Sequence, residues 1–194
     1  MIGIVDYGCG NLASLENALA VLGFCSQRVS RAEEISRMSR MILPGVGNFG
    51  HAVVCLDQAG LRPVLRDYAA SGGRLLGICL GMQLLFEGSA EAHQAQGLSL
   101  IQGRLLAFQD PTLKVPHMGW NQVDFSNHES GEVYFVHSYY VPAWSGPGAA
   151  DWVGLCSYGT RFLAGFGYKN LIGCQFHPEK SGQWGLNFLK EVLQ

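Results

Sequence analysis

The sequence predicts an α/β fold: a mixed, mostly parallel central sheet flanked by helices, with antiparallel strands added to it. Three observations carry that prediction. Short apolar runs alternate with stretches of helical period through the first half of the chain, the pattern of β-α-β units and a parallel sheet. After about residue 97 the helical stretches give way to short strand-like runs split by Gly, Pro and Asn. The 194 residues are 48% hydrophobic and 14% charged, which suits one compact domain over residues 1–194.

Ile2 to Val5 reads as a first strand ending at Asp6, followed by a turn at Tyr7-Gly8-Cys9-Gly10. Asn11 is placed to cap a helix whose Leu12, Leu15, Ala18, Leu19 and Leu22 share one face, with Gly23 as its stop. Phe24 to Val29 and Met41 to Leu43 read as further strands. His51 to Ala70 reads as mostly helical, broken near Gly60 and Pro63. Leu75 to Ile78 is a buried strand and Leu80 to Phe86 the start of a helix. The later strands are expected at 98–101, 103–108, 121–125, 133–141, 151–157, 162–168 and 171–176. Ser181 is expected to cap a last helix with Leu186, Leu189, Val192 and Leu193 inward. The Gly/Pro-rich loop 142–150 is too short to separate domains.

Thirteen basic and fifteen acidic residues leave a formal charge of −2 with no basic cluster, so neither a nucleic-acid nor a membrane surface is expected. The N-terminus lacks a basic n-region, so no signal peptide is expected. Six cysteines occur without C-x-x-C pairs, which argues against a zinc site and against a disulfide framework. Cys25, Cys55, Cys156 and Cys174 read as small buried hydrophobes; Cys9, in a glycine loop, fits that reading less well. No metal or cofactor is expected, and the compartment expected is the cytoplasm.

Cys79 lies on the turn between the Leu75–Ile78 strand and the next helix, in Gly77-Ile78-Cys79-Leu80-Gly81-Met82-Gln83. Glycines two residues either side permit a sharp strand–helix crossing. This is a nucleophile elbow with sulfur in place of oxygen, aimed at a helix N-terminus that favours a thiolate. A cysteine nucleophile needs a base and a group that orients the base. His177, at the end of the last strand, and Glu179, two residues on, supply both. Taken alone, His177 beside Pro178 reads better as a strand-end histidine bonded to backbone. The elbow turns the balance to catalysis. Oxyanion donors are sought in the Leu80 N–H and in the backbone at Val46, within Leu43-Pro44-Gly45-Val46-Gly47. The formal G-x-G-x-x-G from Gly45 to Gly50 is a poor dinucleotide fingerprint: Pro44 precedes it and Asp67 lies in a helical pattern.

G-x-C-x-G-x-Q around Cys79, with H-P-E at 177–179, resembles the class I (triad) glutamine amidotransferases. Within that class the chain is similar to the glutaminase subunits of histidine biosynthesis. Asp6-Tyr7-Gly8 with Gly10-Asn11, the Leu43–Gly47 string and the elbow string through Glu87 carry that similarity. So do Pro116-His117-Met118-Gly119-Trp120-Asn121, Phe135-Val136-His137-Ser138-Tyr139 and Gln175-Phe176-His177-Pro178-Glu179-Lys180-Ser181. The resemblance covers nearly the whole chain in order. It implies hydrolysis of glutamine to glutamate and ammonia through a Cys79 thioester, with His177 protonating the ammonia. It places Gln83, Glu91, Gly47 and His137-Ser138-Tyr139 at the glutamine. The family has two adjacent acids where this chain has Ala90-Glu91. Without the resemblance, Gln83 reads as an exposed helix residue and Glu91 as a solvated loop charge.

The resemblance further implies a heterodimer with a (β/α)₈-barrel cyclase subunit that receives the ammonia. Asn11, Trp120, Tyr139 and Lys180 occupy the motif positions expected near that interface. Trp120 reads as an interface anchor or as a core residue of a β-layer. His117 is expected to be structural or interfacial, and His51, His93 and His128 to lie on the surface or in loops. The Pro44–Gly47 loop predicts weak activity for the chain alone. The alternatives are a paralogous subunit serving another ammonia acceptor, as in surface-sugar biosynthesis; a non-catalytic docking module; and a stand-alone cysteine hydrolase.

Overall fold

The computed structural model describes residues 1–194. In chain order the elements are β1 (Ile2–Val5), α1 (Leu12–Val21), β2 (Ser26–Val29), α2 (Ala32–Ile35), β3 (Arg40–Leu43), α3 (Phe49–Gln58), α4 (Leu61–Ala70), β4 (Arg74–Ile78) and α5 (Leu80–Leu84). They continue with β5 (Gly88–Ser89), β6 (Ala92–Gln96), β7 (Arg104–Ala107), β8 (His117–Phe125), β9 (Gly131–His137), β10 (Tyr139–Tyr140), β11 (Trp152–Tyr158), β12 (Thr160–Tyr168), β13 (Leu171–Cys174), a 3₁₀ turn (Pro178–Lys180) and α6 (Gly182–Val192).

Nine strands form one sheet in the order β2-β1-β3-β4-β13-β12-β11-β8-β9. The first five pair in parallel and the remaining four are antiparallel. Alternation sorts the parallel strands onto two apolar layers, as expected where both faces are covered. Val5, Met41, Leu43 and Leu75 enter one core; Ile2, Ile4, Ile42, Leu76 and Ile78 enter the other. The predicted strand 103–108 is not part of this sheet. As β7 it joins β10, β5 and β6 in a separate four-stranded sheet.

Several expectations need correction. The segment 98–101 is not a strand: Leu98 N–H bonds to Leu84 O, and Leu100 and Ile101 N–H both bond to Leu85 O. Those donors close the C-terminal end of α5, which stops at Leu84 rather than Phe86. β5, β6 and α2 were not foreseen, β8 begins four residues earlier than expected, and 133–141 divides into β9 and β10. The helical stretch before Ala70 is two helices, parted at Gly60 (φ 66°), with Pro63 tolerated in the first turn of α4. α1 ends where foreseen: Gly23 at φ 78° lets Phe24 N–H reach back to Leu19 O.

Neither Asn11 nor Ser181 caps its helix with a side chain. Ser181 Oγ instead donates to His177 O (2.7 Å) and accepts from Tyr134 N–H (3.0 Å), a tertiary clamp that outcompetes the cap. Leu186 is only half-buried, and Phe188 takes the inward place. Cys156 and Cys174 are buried as expected, but Cys25 is exposed and Cys55 half-buried. His128 lies in the loop between β8 and β9, as expected, though half-buried: it is edge-on to Trp152 (4.8 Å) and its Nδ1 pairs with Glu191 (2.9 Å).

Candidate active site

Cys79 immediately follows β4 and adopts φ 53°, ψ −111°, a costly conformation for a residue with a side chain. Its N–H bonds to Cys174 O (2.8 Å), extending the β4–β13 pairing, and its carbonyl accepts from Gln83 N–H (3.1 Å) as α5 begins. The two glycines work sterically. A Cβ on Gly81 would strike the carbonyl of Leu43, and one on Gly77 would meet Gly81 O and the Met82 backbone at 2.7 Å. With five residues α5 offers little macrodipole, so a thiolate there depends on local donors rather than on the helix as a whole.

The Cys79 sulfur is 5% exposed as a residue and lies 3.8 Å from the Val136 carbonyl. A second neighbour was missed in the sequence. Gln175 is fully buried, and its Nε2 points at the sulfur from 3.7 Å. Its orientation is set by Gln83, whose Nε2 donates to Gln175 Oε1 (3.0 Å) and to Tyr139 O (3.2 Å). Gln83 is therefore a buried structural donor, not an exposed helix residue.

His177 stands three residues past the end of β13, its N–H bonded to Tyr134 O (2.9 Å). Glu179 follows on the 3₁₀ turn, where Pro178 supplies the first helical position. His177 Nδ1 and Glu179 Oε1 are 2.8 Å apart with both side chains at most 5% exposed. His177 Nε2 is buried without a partner of hydrogen-bond geometry, and so is Glu179 Oε2. Burial disfavours the imidazolium. Negative charge on the Cys79 sulfur and on the Glu179 carboxylate outweighs that cost and pushes the pKa of His177 up to about 10.

A pocket of about 260 Å³ opens at the sulfur, lined by Val46, Gly47, Leu80, Gln83, Glu91, Pro116, Val136 and His137-Ser138-Tyr139. All the residues expected at a glutamine thus lie around one cavity. Glu91 is anchored by Phe49 N–H, which donates to Oε2 at 2.7 Å. The 44–47 loop forms one wall; Tyr7 OH fastens it by donating to Pro44 O (2.9 Å). Val46 is 42% exposed, and Gly47 takes φ 97°.

Behind the pocket runs a directed chain of hydrogen bonds. His137 Nδ1 donates to Tyr139 O (2.9 Å), which leaves Nε2 to accept from His117 Nδ1 (3.0 Å). His117 Nε2 then accepts from Asn121 Nδ2 (3.3 Å). His117 is stacked between Tyr158 and Phe135, at 4.0 and 4.8 Å. Burial holds both rings neutral, His117 with a pKa of about 4 and His137 of about 3.

Trp120 is 56% exposed on β8, which rules out the core reading, and Lys180 Nζ shares the Tyr134 ring with it. Asn11 is exposed and lines a small hollow with His177 and Glu179. Tyr139 is half-buried in the pocket wall.

Residues 3–192 match the family model "Glutamine amidotransferase class-I". Among curated proteins the chain is similar to the imidazole glycerol phosphate synthase subunit HisH of Geobacillus thermodenitrificans, 46% identical over 100% of this chain and 95% of that one. It is 43% identical to the protein of that name from Bacillus velezensis, over 100% of this chain and 96% of the relative. Among solved structures it resembles a glutamine amidotransferase with a TM-score of 0.77 at 16% identity, covering 98% of this chain and 97% of the other. It resembles a chain of PurLQS from Thermotoga maritima at 0.76 and 18%, covering 99% and 96%.

Proposed function

The chain belongs to the class-I glutamine amidotransferase family, and from that premise we propose that it is the glutaminase subunit of an imidazole glycerol phosphate synthase. It hydrolyses glutamine and delivers the ammonia to a (β/α)₈-barrel cyclase subunit in histidine biosynthesis. Residues 1–194 act as one amidotransferase domain. The observation that carries this reading is a buried Cys79, set on a strained turn beside the His177–Glu179 pair, at the floor of a pocket with an anchored carboxylate. Full-length relatives of one name support the choice of pathway.

In the proposed reaction the Cys79 sulfur, its proton held by His177, attacks the side-chain amide carbon of glutamine. The Leu80 and Val46 N–H groups take the developing oxyanion. His177 gives its proton to the departing ammonia, leaving a thioester. Water then adds, passing a proton to the imidazole, and the carbon–sulfur bond breaks to release glutamate. Glu179 keeps the ring in one tautomer and stabilises its charge. Glu91 pairs with the α-ammonium of the substrate, and the backbone at Gly47 and at 137–139 holds the α-carboxylate. The chain needs no metal or cofactor for this chemistry. No helix is long and apolar enough to cross a membrane, and we place the protein in the cytoplasm.

The test is release of ammonia and glutamate by the purified chain, with and without a barrel cyclase and its ribulosyl ligand. Weak release that rises strongly with the pair is expected. Turnover indifferent to the cyclase would overturn the pathway assignment and leave a glutaminase for another acceptor; no turnover in either case would overturn the enzyme.

A further inference from the structure

A second group of reactive side chains lies outside the proposed active site. Cys9, His51 and Cys55 come from two separate segments, the turn after β1 and one face of α3. Their sulfur and nitrogen donor atoms all lie within 4.8 Å of one another. His51 and Cys55 are four residues apart on the helix, so they are stacked neighbours, and Cys55 Sγ is 3.4 Å from His51 Nε2. The proposed glutaminase chemistry uses none of the three.

We propose that Cys9, His51 and Cys55 form a binding site for a borderline-soft divalent cation of the zinc class. Two thiolates and an imidazole make a donor set that selects zinc over magnesium or calcium. The spacing fits as well. Zinc–sulfur and zinc–nitrogen bonds of about 2.3 and about 2.05 Å at tetrahedral angles put S and N about 3.6 Å apart and two sulfurs about 3.8 Å apart. The His51–Cys55 edge is already at 3.4 Å, and the others close with a contraction of about 1.2 Å at most. Three protein ligands leave the fourth position to water. His51 is exposed and both cysteines are half-buried, so an ion reaches the site from solvent.

The scaffold supports the ligands from both sides. Asn48 caps α3 by accepting from the His51 N–H (2.9 Å), which fixes the turn that carries the imidazole. Cys9 is held between glycines in the turn after β1, next to Tyr7, whose hydroxyl fastens the 44–47 loop. An ion held here would cross-link that turn to α3.

The experiment is a Co²⁺ and Zn²⁺ titration of the full chain, freed of metal by chelation and kept reduced by a non-thiol reductant. It is done in the Cys79→Ala background, so that the active-site thiol supplies no ligand. One equivalent of Co²⁺ is expected, with a thiolate-to-cobalt charge-transfer band and the visible bands of a tetrahedral ion, both displaced by one equivalent of Zn²⁺. Loss of an outer-shell partner alone costs a metal site about 10–100-fold. Cys9→Ser and Cys55→Ser, each checked by circular dichroism for an intact fold, are therefore expected to weaken binding by about 100-fold or more. His51→Gln, at an exposed position, is expected to weaken it while keeping the thiolate band. Absence of stoichiometric binding would overturn the site. So would binding that Cys9→Ser, Cys55→Ser and His51→Gln leave unchanged.

Discussion

The side-chain amide of Gln175 directs its Nε2 at the sulfur of Cys79 from 3.7 Å, in a fully buried setting. A donor so placed favours the thiolate over the thiol, and a hydrogen bond to a charged group contributes about 1.5–3 kcal/mol. Gln175→Leu is therefore expected to slow alkylation of Cys79 by iodoacetamide at neutral pH roughly 10-fold. An unchanged alkylation rate would show that the amide is only packing.

Cys79→Ala removes the proposed nucleophile while leaving the elbow in place. Ammonia release by the cyclase-bound chain is expected to fall by about 10⁴-fold or more. Covalent labelling by a glutamine-mimicking electrophile should vanish with it, and retention of turnover would sink the thioester route.

Glu179→Gln keeps the shape of the pair but withdraws one of the two groups that raise the pKa of His177. The pKa of about 10 should fall, so the basic limb of kcat/KM moves to lower pH. Turnover is expected to drop by about 10³–10⁴-fold, because the ring loses its fixed tautomer. A drop in turnover with an unmoved basic limb would count against this role for Glu179.

His117 and His137 make stability depend on acidity. Both are neutral in the fold, with pKa values of about 4 and about 3, whereas unfolded histidine titrates near about 6.5. As pH falls below the unfolded value the unfolded chain gains protons that the fold refuses, so stability declines until the folded values are reached. Each ring costs up to about 1.4 kcal/mol per pH unit over that window. Urea midpoints between pH 7 and 4.5 should fall steeply in the wild type and more gently in His117→Gln/His137→Gln. Parallel profiles would rule the pair out as the cause.

Trp120→Ala tests the proposed interface without touching the core, since the ring is more than half exposed and rests on Tyr134. Loss of such an anchor costs about 2 kcal/mol or more, a Kd for the barrel subunit weaker by about 30-fold. The urea midpoint should shift by no more than about 0.5 kcal/mol in free energy. Equal affinity by calorimetry would remove Trp120 from the interface.

What the sequence disclosed was local. The elbow was legible because its constraints lie within five residues: Gly77 and Gly81 are needed where backbone meets backbone. His177 and Glu179 were legible because one short turn carries both. Gln175 was in plain view two residues before His177, but it read as a strand residue. Its role exists only because β4 and β13 pair, and Gln83 then orients it. Ser181 was misread for a similar reason: its hydroxyl fits a helix cap in isolation, yet the fold offers Tyr134 N–H and His177 O instead. The short β5 and β6 carry too little alternation to announce a second sheet. The Cys9, His51 and Cys55 group was hidden because its members are 42 or more positions apart in part, joined only when the turn after β1 meets α3.

β4 and β13 are adjacent, parallel and in register, with Cys174 opposite Ile78, and Cys79 and His177 each leave that pair at the same end. The thiol and the imidazole therefore ride on two neighbouring rails of the most deeply buried part of the sheet. The β4–β13 ladder sets where the two segments emerge, and the three residues from Cys174 to His177 are fixed in turn by the bond from His177 N–H to Tyr134 O on β9. A partner subunit that raised the activity proposed here would have little purchase on either anchor. The 44–47 wall hangs instead on a tyrosine hydroxyl, so it is the part of the proposed site that such a partner would be able to reorient without breaking the sheet.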